Sequence, residues 1–253
     1  MFCSDRWNKN TVEMIVCAEH SCPAEDDFFW TYNGKANGKQ KWTSLYQTCY
    51  RGNQSPIAIR TSRIETNVVM KRIKYTNYNF PLTKATIENT GYTVQITPRD
   101  KVDRWIQVKG TLYFLELVHF HWGSKKTAGS EHVIDGKRYD MEAQFLHRDD
   151  RGEIAIVSVL FERTQSVYNE GFHALYEILS QIHFRDYKTQ LRSDLNLEVL
   201  IPHESTSFYH YEGSLTIPGC DAGVQWFILK NINYIQSRHD KYNRSTNFSG
   251  YTL

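Results

Sequence analysis

Leu117-Val-His-Phe-His-Trp-Gly123 sets two histidines, His119 and His121, two residues apart inside an apolar and aromatic run. Side chains of a β-strand alternate between its two faces, so both imidazoles point the same way. Downstream, Gly129-Ser-Glu-His132 leads to Tyr139-Asp-Met-Glu-Ala-Gln-Phe-Leu-His147, another alternating stretch suited to a neighbouring strand. Two histidines on one strand and a third from its neighbour form the His₃ set of a catalytic zinc site, with the fourth position left to water. This chain supplies His119 and His121. Taken alone, a pair at this spacing is more often half-buried strand residues than ligands.

Outward from this pair the pattern is one of short β-type runs separated by turns: Val68–Ile73, Ala85–Glu88, Tyr92–Thr97, Trp105–Lys109 and Leu112–Trp122. Ile154–Glu162 and Val224–Leu229 read as buried strands. Between them Phe172, Leu175, Ile178, Leu179 and Ile182 fall at helical spacing, a stripe that serves core packing. Many strands, few helices and no regular βαβ alternation predict a mainly β (α+β) single domain, with a large, mostly antiparallel sheet.

The 253 residues are enough for one large domain. The net charge of +2 comes from interspersed Lys, Arg, Asp and Glu, which gives no basic stripe for nucleic acid and no tail for a membrane surface. No apolar run approaches the roughly 18 residues of a membrane span. Near the N-terminus only Met14-Ile-Val-Cys-Ala18 is apolar, shorter than the about 7 residues a signal-peptide core needs.

The run from His119 to His147, together with Tyr211-Glu-Gly-Ser-Leu-Thr-Ile-Pro218 and Asn53-Gln-Ser-Pro56, resembles the α-class carbonic anhydrases, over about residues 29 to 240. The resemblance implies a twisted central sheet with an open conical cleft, a zinc ion, and reversible hydration of CO₂. It also places the third zinc ligand at Gln144, where the family carries histidine. The pattern is therefore most similar to the carbonic-anhydrase-related, acatalytic proteins. An amide oxygen is a poor zinc donor beside thiolate, imidazole or carboxylate.

Other positions follow from the same resemblance. Thr216 and Glu131 match the pair in which a threonine hydroxyl, bonded to a glutamate, orients the attacking hydroxide. Leu146, Ile156, Leu215, Val224 and Trp226 match the apolar wall for CO₂; Leu146 and Ile156 stand where valines are usual, which predicts a tighter pocket. Leu117 replaces a glutamine that orients the first histidine, Glu142 stands where it would orient the third, and Ile217 replaces a small polar residue. Tyr92 stands where fast members place a proton-shuttling histidine, and a phenol with a pKa of about 10 relays protons poorly at neutral pH. His132 matches a position used for internal hydrogen bonding, and His147, opposite in parity to Gln144, is structural.

The expectation is an incomplete zinc site in a protein that binds a protein partner of unknown identity. The alternative is a weak zinc-dependent carbonic anhydrase acting on CO₂ and bicarbonate. Of the five cysteines, Cys49 and Cys220 match a family disulfide of extracellular members, with two buried free thiols as the other reading. The bridge implies an oxidising compartment and a secreted protein, the missing export signal a cytoplasmic one. Residues 1–26 read as an N-terminal extension. Residues 27–253 read as the domain, truncated at the C-terminus, because relatives continue with a further strand and an Asn-Arg-Pro motif; a fold short of that strand is the other reading.

Overall fold

The computed structural model describes residues 30, 32, 38–65, 72–123, 127–164, 175, 182, 184–191, 193–202 and 207–236. Among them the strands are β1 (Ala58–Ile59), β2 (Lys74–Thr76), β3 (Ala85–Asn89), β4 (Val94–Pro98), β5 (Trp105–Val108), β6 (Thr111–Trp122) and β7 (Val133–Ile134). They continue with β8 (Lys137–Arg138), β9 (Met141–Arg148), β10 (Ile154–Thr164), β11 (Lys188–Gln190), β12 (Phe208–Ser214), β13 (Ala222–Leu229) and β14 (Asn233–Gln236). One short α-helix, Trp42–Leu45, accompanies them. Eleven strands form one sheet whose main path runs β11-β3-β4-β6-β9-β10-β13-β12, while β1, β7 and β8 make a small second sheet. The large sheet is antiparallel except around β10, which pairs in parallel with β13 and β14.

Alternation along the central strands divides the apolar residues between two faces. Val118, Phe120, Phe145, Val157, Val159 and Phe227 face a large core under the sheet. Leu146, Ile156, Val224, Trp226 and Ile228 face a smaller cluster on the other side, the side that also carries the imidazoles. Most of β10 is buried, as its unbroken apolar run requires. Leu175 and Ile182 from the helical stripe are buried in the large core; the rest of that stripe lies outside the described residues. So do residues 68–71 of the first strand expected from the sequence, and the described strand there begins at Lys74.

One further strand boundary and one register shift each have a local reason. Tyr92 precedes its strand, because the Thr90 hydroxyl accepts from the amides of Tyr92 and Thr93 at 3.2 and 3.1 Å. Gly91 at φ 81° completes that turn, and β4 starts only at Val94. On β6 the register against β9 shifts between Leu115 and Leu117. The extra residue, Glu116, reverses the alternation, so Phe114 and Leu117 both join the row set facing the histidines.

Candidate functional site

Register assembles the site. On adjacent strands His119 lies opposite Gln144, and His121 opposite Glu142; across the next pairing Gln144 lies opposite Ser158. A second row runs Leu117–Leu146–Ile156–Trp226–Tyr211 over five strands. The polar groups of the cleft floor thus stand beside an apolar wall. The five wall residues expected from the sequence meet in one cluster, with Leu215 only partly buried, and Leu117 packs there too. With an aliphatic side chain in that row, position 117 has no hydrogen bond to offer an imidazole.

Gln144 is fully buried and makes three hydrogen bonds. Its Oε1 lies 2.7 Å from His119 Nε2. Its Nε2 donates to Glu131 Oε2 at 2.7 Å and to Glu142 Oε1 at 2.9 Å. Glu142 is also buried and accepts from the backbone amides of Glu131 and His132, at 2.8 and 2.9 Å. His132 Nδ1, at 2.8 Å, and the Ser158 hydroxyl, at 2.7 Å, complete its shell. From His132 Nε2 the network reaches Tyr211 at 2.8 Å, and Tyr211 donates to Ser55 at 2.8 Å. Ser158, Tyr211 and Ser55 carry this network without having been assigned a role from sequence. Ser158 had a visible signal, as the lone polar side chain within Ile-Ala-Ile-Val-Ser-Val-Leu-Phe, because buried polar groups are hydrogen-bonded.

The electrostatics follow from burial. Desolvation lowers His119 and His121 from 6.5 to about 4, with His121 adding to the effect on His119. Burial, then the charge of Glu142, pushes Glu131 from 4.5 up to about 7. Burial opposes ionisation of Glu142, but His132 and the donors around it hold the carboxyl well below its ordinary range. His121 Nε2 stands 3.4 Å from Glu131 Oε2 and has no hydrogen-bond partner among the described residues, nor has Glu131 Oε1. Thr216, buried, lies beside Glu131 and lowers its pKa, short of regular hydrogen-bond geometry at Oε1.

These shifts set an acid limit on stability. The unfolded chain takes up protons on its histidines below 6.5, whereas folded His119, His121 and His147 stay neutral down to about 4. Their contribution is complete above 6.5 and is lost as the pH falls towards 4. Glu131 acts oppositely, since its raised pKa favours the fold at low pH and that gain is lost as pH rises through about 7. Three groups outweigh one, so the thermal midpoint should fall between pH 6.5 and 4. A flat or rising midpoint in melts across that window would contradict neutral buried histidines.

The remaining expected residues are placed as follows. Tyr92 stacks on Trp30, with ring centroids 3.8 Å apart, and its hydroxyl donates to the Trp30 carbonyl at 3.0 Å. The Arg185 guanidinium carbon lies over the Tyr92 ring, 5.5 Å from its centroid. His147 is buried between Tyr78 and the Ala155 carbonyl, away from the cleft floor. Cys49 and Cys220 are bonded and packed against Tyr32 and Trp42. Gly219 and Cys220 take successive positive φ values of 104° and 41°. That turn, closed by Cys220 N to Ile217 O and Leu215 N to Asp221 O, each 2.9 Å, fixes the segment carrying Thr216. Ile217 is 41% exposed at its tip.

Among the described residues no group of three His, Cys, Asp or Glu side chains is placed to hold a metal. The donors near His119 and His121 do not fit a zinc ion: one imidazole is bonded to an amide oxygen, and the third place is that amide.

A mixed sheet that presents paired imidazoles under an apolar wall has the α-carbonic-anhydrase architecture. The α-carbonic anhydrase of Photobacterium profundum superposes with a TM-score of 0.71 at 28% identity, covering 86% of this chain and 91% of that one. That of Thermovibrio ammonificans, solved with sulfanilamide, gives 0.72 at 27% identity, covering 87% and 91%. Carbonic anhydrase 6 of Mus musculus is 31% identical over 217 residues, 80% of this chain and 68% of that protein. The sequence pattern of eukaryotic-type carbonic anhydrases matches residues 37–250, and the chain belongs to that family.

Proposed function

We propose that this member of the family has given up zinc-dependent turnover and acts as a binding protein, through contacts with a protein partner. The observation that carries the reading is Gln144, bonded to His119, Glu131 and Glu142 at the third ligand position. Leu117 in the apolar cluster and Tyr92 stacked on Trp30 support it, since neither can orient an imidazole or pass a proton. The Cys49–Cys220 bridge favours an oxidising, extracellular location; no helix among the described residues is long and apolar enough to cross a membrane.

Protein purified without added metal should contain well under one zinc per chain and show CO₂ hydration at the uncatalysed rate. One zinc per chain that survives mild chelation would reject the proposal. A second reading, a weak zinc-dependent carbonic anhydrase converting CO₂ to bicarbonate, draws on His121 Nε2, without a hydrogen-bond partner among the described residues, and on Thr216 beside Glu131. The same metal assay separates the two.

A further inference from the structure

A primary amide has one end that only accepts and one that only donates. At Gln144 the surroundings decide which end points where. The amide position 2.9 Å from Glu142 Oε1 faces a carboxylate already receiving two backbone amides, an imidazole nitrogen and a hydroxyl. A carbonyl oxygen turned to that spot would be a second acceptor set against a carboxylate that those four donors already occupy, with no hydrogen between the two oxygens. Gln144 Nε2 therefore takes it, bridging Glu142 and Glu131, and Oε1 is left facing His119 Nε2 at 2.7 Å. Since that oxygen can only accept, the proton in the contact belongs to His119.

We infer that Gln144 locks His119 in its Nε2–H tautomer and so closes the ancestral zinc site from within, beyond merely failing to supply a ligand. This rests on the zinc-free reading above and gives its cause. The two histidines are then unequal. His121 Nε2 has no hydrogen-bond partner among the described residues, whereas the nitrogen of His119 that faces the floor carries a hydrogen and has no lone pair to offer. Metal capture through that nitrogen requires moving the proton to Nδ1 and breaking the bond to Gln144. An absent ligand alone would impose neither cost.

The distinction is measurable. Long-range ¹H–¹⁵N spectra of the full chain should show His119 with a protonated Nε2 and a bare Nδ1. Gln144→Leu, of similar size but unable to accept a hydrogen bond, should bind zinc about fivefold more tightly than wild type in competition with a chromophoric chelator, the factor one net hydrogen bond is worth. Wild type with the opposite tautomer at His119 overturns the lock, as does a folded Gln144→Leu that binds zinc no better than wild type. If Gln144→Leu fails to fold, the wild-type tautomer decides alone. Stoichiometric zinc in wild type would instead overturn the zinc-free reading, and the lock with it.

Discussion

Gln144→His should gain zinc affinity by at least the roughly 10–100-fold that a single supporting contact to a metal ligand is worth, and should hydrate CO₂ slowly where wild type does not. The new imidazole would enter a prepared place. His119 lies directly across the strand pair, and Glu142, held ionised by its donors, replaces its bond to the amide with one to the ring. Recovery should be partial: Tyr92 is tied to Trp30, and Leu146 and Ile156 fill the wall. Metal content and CO₂ hydration of both proteins in zinc-supplemented buffer test this. Equal activity in the two would remove Gln144 as the cause of silence. Tight zinc without turnover would move the block to the wall and the proton path.

Replacing Cys49 and Cys220 by serine should cost about 3–5 kcal/mol, read as a lower urea midpoint. The bridge spans 171 residues, and in the chain-entropy account a loop of that length removes about 5 kcal/mol of unfolded-state freedom, with native systems commonly returning 2–5. Loss of the bond should also loosen the Thr216 segment, since Cys220 closes its turn. Non-reducing peptide maps of protein made through a secretory route should recover the pair joined. Free thiols there, or an unchanged urea midpoint in the double variant, would remove both the stability assignment and the argument for an oxidising location.

What could be read beforehand depended on how local its cause is. The alternation in Leu117–Trp122 and Met141–His147 put His119, His121 and Gln144 on one face, and strand pairing brings them together. Ile154–Thr164 declared its burial by its composition. The reversal at Glu116 was invisible, because a bulge depends on how two strands accommodate each other. Likewise, the resemblance marked Glu142 as the residue that would orient a third histidine, but the five donors around its carboxylate come from the 131–132 backbone and from the side chains of His132, Gln144 and Ser158. Only the fold gathers them. Tyr92 was legible as a residue unsuited to proton transfer; its stacking partner, Trp30, lies far away in sequence and left no pattern to find.

The placement of β10 at the centre of the sheet bears on the order in which the molecule can be made. β6, β9 and β10 follow one another and pair as antiparallel neighbours, so a nascent chain can set His119 against Gln144 as soon as those strands emerge. The opposite flank of β10 must wait. Its partners β13 and β14 run parallel to it and come much later in the chain, and such non-local pairing is slow because loop closure precedes its reward. Trp226, Thr216 and Cys220 arrive with that late segment. Until then one edge of a long apolar strand stands uncovered, the state in which β-rich chains aggregate and in which chaperones hold them. Gln144 meets its partners on β6 and β9 before Leu215, Val224 and Trp226 complete the wall, so the polar floor is built early and the cleft acquires its shape last.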